Sequence, residues 1–283
     1  MNNQKLFDAE KFKQDQVDSW DSLAEYWLKW EHLFEVGAQP VNQWVLDDDC
    51  LKEGANVLDL ASGLGQPAIA IADKIGPTGF VYAVEQSPGM ARVAASRARE
   101  KRNIQVIEDD VETTSFPDAH FDAIVSRWGL MFMPNLNIVF KKCYHYLKNR
   151  GRLLAIVWAS PPDVPIISLA FGVVASVLEL SPPSPGTPTP FCMSNPDIIR
   201  IRLAQAGFSG ITIDALDLPF MVSGFKEYKE FSWDLFPPFI KKRLAESGKE
   251  KIVWGRVRDQ LRQYRWQNGR ILTSRALCVR AEK

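Results

Sequence analysis

Between Val57 and Ala72 the chain reads VLDLASGLGQPAIAIA: an apolar strand, a tight turn holding Gly63 and Gly65, then a helix. Glycines at such a turn let backbone come close to a ligand in the crevice of a parallel sheet. Gly63-x-Gly65-x-x-Ala68 also fits the dinucleotide fingerprint, a weak match on its own. Asp59 points to other chemistry, because a carboxylate at the end of the first strand repels a pyrophosphate and attracts an ammonium group. Glu85 closes the second strand, where a carboxylate accepts both hydroxyls of a ribose. Asp110 follows the third, where an acid accepts from an adenine amino group while the N–H of Val111 donates to the ring. Each acid alone is explained as well by turn or helix capping, but the three together describe a nucleoside ligand that bears an ammonium.

These residues need a sheet to hold them. Ala55 to Leu60, Gly79 to Val84, Ile104 to Ile107, Phe121 to Ser126 and Arg152 to Trp158 read as buried strands. They alternate with helices over Gln66 to Ile75, Pro88 to Arg102 and Asn135 to Leu147, which predicts an α/β, doubly wound, Rossmann-like and mostly parallel seven-stranded sheet. Trp20, Leu23, Trp27, Trp30 and Phe34 recur at helical spacing in an N-terminal cap, with a second short helix expected after Pro40. Prolines flank the apolar run Ile166 to Leu178, an excursion expected to form a lid. One helical segment over Phe225 to Tyr264 and a last strand over Ile271 to Val279 complete the reading. The expected divisions are 1–50 for the cap, 51–160 for the ligand-binding core, 161–225 for the lid and a late strand, and 226–283 for the C-terminal completion.

Composition narrows the function classes. Thirty-four Lys and Arg balance thirty-four Asp and Glu, which disfavours a general nucleic-acid binder. Four cysteines without a CxxC pair suggest neither a disulfide framework nor a metal cluster, and no segment reads as a signal or a membrane span, so a cytoplasmic protein is expected. Oligomeric state is not legible.

The blocks VLDLASGLGQPA, GPTGFVYAVEQSPGMARVA, DDVETTSFPDAHFDAIVSRWGLMFMP and LKNRGRLLAIVW occur in an order that resembles the class I S-adenosylmethionine (SAM)-dependent methyltransferases, and among them the ubiquinone/menaquinone C-methyltransferase-like (UbiE-type) group. The sequence departs from that pattern at His145 and at Asn149-Arg150-Gly151 before the fifth strand. SAM carries an ammonium and no phosphate. The resemblance implies that Asp59, Ala61, Gly63 and Gly65 face its methionine part, Glu85 its ribose, Gln86 and Met90 the adenosine surroundings, and Asp110 with Val111 the adenine. Arg127 would close the site from the fourth strand and Tyr26 would reach it from the cap. Trp30, Trp128, Met131, Trp158 and Phe171 would line a site for a hydrophobic small molecule such as a quinone, a phenol or a polyketide-like compound.

Methyl transfer from a sulfonium is an in-line displacement that depends mainly on alignment and needs a base only where the acceptor must lose a proton. His32, beside the aromatic stripe, is the candidate base; His120 and His145 read as solvated. The expected products are a methylated acceptor and S-adenosylhomocysteine. Three rivals stay open: an enzyme that keeps SAM but catalyses another step such as a cyclisation, a non-catalytic SAM-binding module, and, disfavoured by Asp59, an NAD enzyme.

Overall fold

The computed structural model describes residues 8–184 and 186–283; the first seven residues of the expected cap and Pro185 of the expected lid lie outside the described residues. The elements run α1 (Ala9–Leu46), β1 (Asn56–Leu60), α2 (Ala68–Lys74), β2 (Phe80–Glu85), α3 (Pro88–Ala98), β3 (Ile104–Glu108), β4 (Phe121–Arg127), α4 (Leu136–Tyr146), β5 (Leu147–Trp158), α5 (Pro165–Val177), α6 (Pro196–Gln205), β6 (Ser209–Val222), α7 (Phe225–Leu235), α8 (Pro238–Ser247), α9 (Glu250–Leu261), β7 (Arg265–Trp266) and β8 (Gly269–Glu282).

Strand order is β3-β2-β1-β4-β5-β8-β6, and short β7 pairs with β8 as an eighth strand that the sequence reading lacks. The first five strands are parallel, whereas β8 runs antiparallel to both β5 and β6. Val57, Leu58, Val81, Val84, Ile124, Leu154 and Ile156 are all fully buried, as expected of parallel strands covered by helices on both faces. Strand order reverses between β1 and β4, so the crevice at their carboxyl ends is the natural ligand position.

The N-terminal cap differs from the expected pair of helices. One helix of 38 residues runs through Pro40. Proline removes one N–H, whose partner in a regular helix would be the carbonyl of Val36, and Val36 is exposed to water. Val41 and Val45, both fully buried, then continue the apolar stripe, so burial outweighs the missing bond. Conversely, the single helical segment expected over 225–264 is three helices, interrupted by Pro237-Pro238 and by Gly248, which turns the chain at φ +65°.

The run 166–178 forms α5, which buries Ile166, Leu169, Ala170, Val173, Val174 and Val177 and packs on α9, α7 and β8. The hydroxyl of Tyr228 in α7 donates to the Pro165 carbonyl at 3.0 Å, fixing its first turn. This is the packing of a core helix.

Where α1 leaves the top of the sheet, Gly37 passes over Phe220 so closely that a Cβ there would lie 2.3 Å from the ring. At its far end the fully buried Asp48 side chain accepts from Arg152 at 2.9 Å and Arg280 at 2.6 Å, tying the helix exit to β5 and β8. Gly37→Ala should lower the urea midpoint, because overpacking costs about 1–3 kcal/mol and exceeds the gain of roughly 1 kcal/mol in helix propensity. In a Phe220→Ala background the same substitution should raise it, and equal effects in both backgrounds would refute the close contact.

Candidate functional site

The turn after β1 is shaped by left-handed backbone at Ala61 (φ +56°), Gly63 (φ +56°) and Gly65 (φ +99°). Nothing stands within 4 Å of where a Cβ on Gly63 would lie, so the turn borders open space. Across it, the β4 end places Trp128 at φ +61° and Gly129 against Ala61, where a Cβ would meet the Ala61 methyl at 2.5 Å. Strand ends that are far apart in sequence but neighbours in the sheet are thus brought into one crevice.

Asp59 sits near the end of β1, fully buried, and neither carboxylate oxygen has a hydrogen bond of ordinary geometry. Burial pushes its pKa up to about 7; Glu85 adds to the rise, while the Arg127 guanidinium and the N–H of Ala68 oppose it. Among the other buried polar atoms without partners in the described residues, the Ser62 hydroxyl lies in the turn and the Trp128 indole N–H follows β4. The Trp27 indole N–H belongs to the α1 stripe that meets Trp128 through Phe34, while the N–H groups of Trp254 and Arg270 lie apart on α9 and β8. Buried polar groups are nearly always paired, so the set at the ends of β1 and β4 asks for a ligand. An unpaired buried carboxylate asks for a cation in particular, and the ammonium of SAM fits that demand.

Glu85 is nearly inaccessible; its two oxygens accept from the N–H groups of Gly63 and Ser87, each at 2.8 Å, and burial raises its pKa. It therefore ties the first and second strand ends together while keeping lone pairs for further donors. Gln86 is half-buried and Met90 buried beside it. Asp110 accepts from the N–H of Glu112 at 2.8 Å through one oxygen and pairs with Lys13 of α1 at 3.0 Å through the other. Val111 is buried next to it.

A row of polar contacts fastens α1 over these strand ends. Lys13 also reaches Glu112 at 2.6 Å; Asp21 accepts from Gly89 N–H at 2.5 Å; Glu31 grips Arg97 through both oxygens; Glu35 takes two bonds from Arg127, at 2.8 and 2.5 Å. Asn42 adds a bond to Arg127 at 2.9 Å. Burial alone would raise the pKa of Glu35, but hydrogen bonds and charge from Arg127 outweigh it and hold the group below its usual range. Sequence reasoning missed Lys13, Asp21, Glu31, Glu35 and Asn42. Their signal was present, since at 100° per residue they fall within about 80° of helix circumference, beside the aromatic stripe.

That aromatic stripe supplies the second wall. Phe34 stands edge-on to Trp27 at 5.1 Å and to Trp128 at 5.0 Å, and Trp128 stacks on Trp158 at 4.5 Å. Met131 is buried in the turn after β4.

Four expected placements change. His32 lies on the exposed face of α1, on the far side of the helix from Phe34, so it is not positioned as a base. Tyr26 is exposed and its ring lies 4.7 Å from the Lys241 ammonium, which directs it to α8. Trp30 donates to Asp234 at 2.9 Å and packs on Phe231, so it anchors α1 to α7. Phe171 is exposed on α5, outside the aromatic cluster. In each case helical spacing gave the helix but not which neighbour its face would meet.

Comparison with known proteins agrees with this geometry. The methyltransferase domain family matches residues 57–151. A demethylmenaquinone methyltransferase of Listeria welshimeri is 32% identical over 117 residues, covering 41% of this chain and 49% of its own length. A ubiquinone/menaquinone biosynthesis C-methyltransferase UbiE of Pseudomonas putida is 31% identical over 40% of this chain and 45% of its own. The chain thus spans about half the length of these curated relatives. Among solved structures, the YcgJ protein of Bacillus subtilis superposes with a TM-score of 0.57 at 18% identity, covering 86% of this chain and 97% of its own. The [4+2]-cyclase SpnF superposes with a TM-score of 0.50 at 19% identity, covering 87% and 80%. These two show the shared fold.

Because Asp59 and Glu85 both have raised pKa values, the folded protein holds protons that the unfolded chain has released. Stability should therefore fall as pH rises from about 4 through about 7, the range over which Asp59 loses its proton, and Glu85 adds a fall of the same sign. Denaturant titrations across that range should show a shallower slope for Asp59→Asn; an unchanged slope would mean that Asp59 ionises freely.

Proposed function

We propose that this chain, whose residues 57–151 match the methyltransferase domain family, transfers a methyl group from SAM to a hydrophobic, oxygen-bearing small molecule of the quinone, phenol or polyketide-like class. The observation that carries the reading is the set of unpartnered buried polar atoms at the ends of β1 and β4, Asp59 and Ser62 at and after β1 and the Trp128 indole after β4.

When bound, SAM supplies an activated methyl on a positively charged sulfur. Asp59 would hold the ammonium, Glu85 the ribose hydroxyls, and Asp110 the adenine amino group once Lys13 shares or yields its oxygen. Arg127 and Glu35 neutralise each other and close the wall against water. Exclusion of water matters because methyl transfer gains most from a fixed, dry approach of nucleophile to carbon. The faces of Trp128, Trp158 and Phe34 suit a flat apolar acceptor, and their electron-rich surfaces favour a nearby cation. The indole N–H groups of Trp27 and Trp128 would donate to an acceptor oxygen. No described histidine lines the crevice, so the reading relies on alignment, with proton loss left to an acidic hydroxyl or enol of the acceptor.

Calorimetry should give clear binding of SAM and S-adenosylhomocysteine and none of NAD. Binding should tighten from pH 6 to pH 8 as Asp59 loses its proton, and Asp59→Asn should weaken it by roughly 1.5–3 kcal/mol, the range for a hydrogen bond to a charged group. Tight NAD binding without SAM binding would sink the proposal. With phenolic and quinol acceptors, a product heavier by one methylene separates methyl transfer from a cyclisation that leaves mass unchanged. Trp128→Phe keeps an aromatic face, though a smaller one, and deletes the donor, so the KM for an oxygenated acceptor should rise about two- to tenfold.

A further inference from the structure

The chain is electrically neutral as a whole but strongly polarised along its length. Residues 238–270, which form α8, α9 and β7, hold ten Lys and Arg against three Asp and Glu, a net +7. Residues 8–49 hold eleven acids against three lysines. Surplus positive charge on the C-terminal helices is not consumed by folding. Lys242, Arg243, Lys251, Arg256, Arg258 and Arg265 are exposed, and none makes a salt bridge among the described residues; Arg262 has Asp259 at 3.5 Å. Like charges so close repel, and the arrangement gains only if an anionic partner compensates.

Three large apolar side chains are exposed on the same three elements: Phe239 is 57% exposed, Ile252 52% and Trp266 48%. In α9 the buried residues Val253, Trp254, Val257 and Leu261 occupy one side, while Arg258, Lys251, Arg262, Ile252 and Arg256 fall within about 160° of the other. In α8, Ile240 and Leu244 face inward and Phe239, Lys242 and Arg243 face outward. Cations with protruding aromatic and aliphatic side chains are the composition that binds at a lipid headgroup boundary, the charges to anionic headgroups and the apolar tips to the acyl region. Nucleic acid would satisfy the charge but not Ile252, since an aliphatic tip has no base-stacking role.

We propose that the surface formed by α8, α9 and β7 docks the protein on anionic lipid bilayers. The proposal stands apart from the methyl-transfer reading, because none of these residues lies in the SAM crevice. Docking of this kind would bring the enzyme to a phase in which apolar molecules dissolve.

Flotation of the full chain with vesicles tests it. The protein should float with phosphatidylcholine–phosphatidylglycerol vesicles at low salt, not with phosphatidylcholine alone, and should be released at salt that shortens the Debye length to about 3 Å. Each cation removed should weaken binding about fivefold, so K242E/R243E/K251E/R258E should abolish it while SAM binding by calorimetry is retained, which also verifies folding. F239S/W266S, with all charges intact, should weaken it as well. Lipid binding that ignores the F239S/W266S change, or preferential binding of homopolymer RNA over vesicles, would overturn the proposal. So would absence of vesicle binding, including the case where the basic face instead drives a salt-sensitive dimer through the acidic N-terminal region.

Discussion

The Arg127 guanidinium is shared between two obligations that pull in opposite directions across the crevice. By contact it belongs to Glu35 of the covering helix, and by its field it is the cation that favours the ionised form of buried Asp59. Because the contact is taken, the field alone leaves Asp59 short of a partner. A cationic ligand removes that deficit without breaking the Arg127–Glu35 pair, whereas an anionic one would add to it. The preference of this crevice for a cation over an anion therefore originates in the helix that covers it.

The same helix organises the rest of the upper sheet. One stripe of α1 is polar and answers the ends of β2, β3 and β4 in turn; the adjoining stripe is aromatic and fills the space above β4 and β5. Small residues make this possible. Gly37 admits Phe220 at a distance a Cβ would forbid, and Gly89 admits the Asp21 carboxylate, which a Cβ would have to displace. A cover that fits so closely excludes water while leaving open space beside Gly63, where backbone must meet a ligand.

Much of this was legible beforehand. Strands β1 to β5 announce themselves as continuous apolar runs, and Asp59, Glu85 and Asp110 fall at strand ends simply because runs end there. Trp128 and Trp158 could be placed by the same count. Residues on helices were harder, since periodicity defines a face but not its partner. Trp30 and Tyr26 belong to the arcs that meet α7 and α8, elements whose position depends on the late antiparallel strands. Phe171 and His32 fell on outer faces for the same reason. Pro40 misled because a local rule about proline was applied where buried Val41 and Val45 prevail. The apolar run of α5 is explained by its three packing partners, none of which could be assigned to it from spacing.

The Asp48 anchor makes α1 a lever. From Leu46 to Lys13 the helix is about 50 Å long at 1.5 Å per residue, and only its C-terminal end is tied to β5 and β8 by two arginines on a buried carboxylate. A rotation of about 10° about that anchor would carry Lys13 through roughly 9 Å and Glu35 through about 3 Å, so it could not occur without breaking the Lys13, Asp21, Glu31 and Glu35 contacts together. Such a rod is a latch with one fixed end and four catches, and the catch that must travel furthest is Lys13 on Asp110.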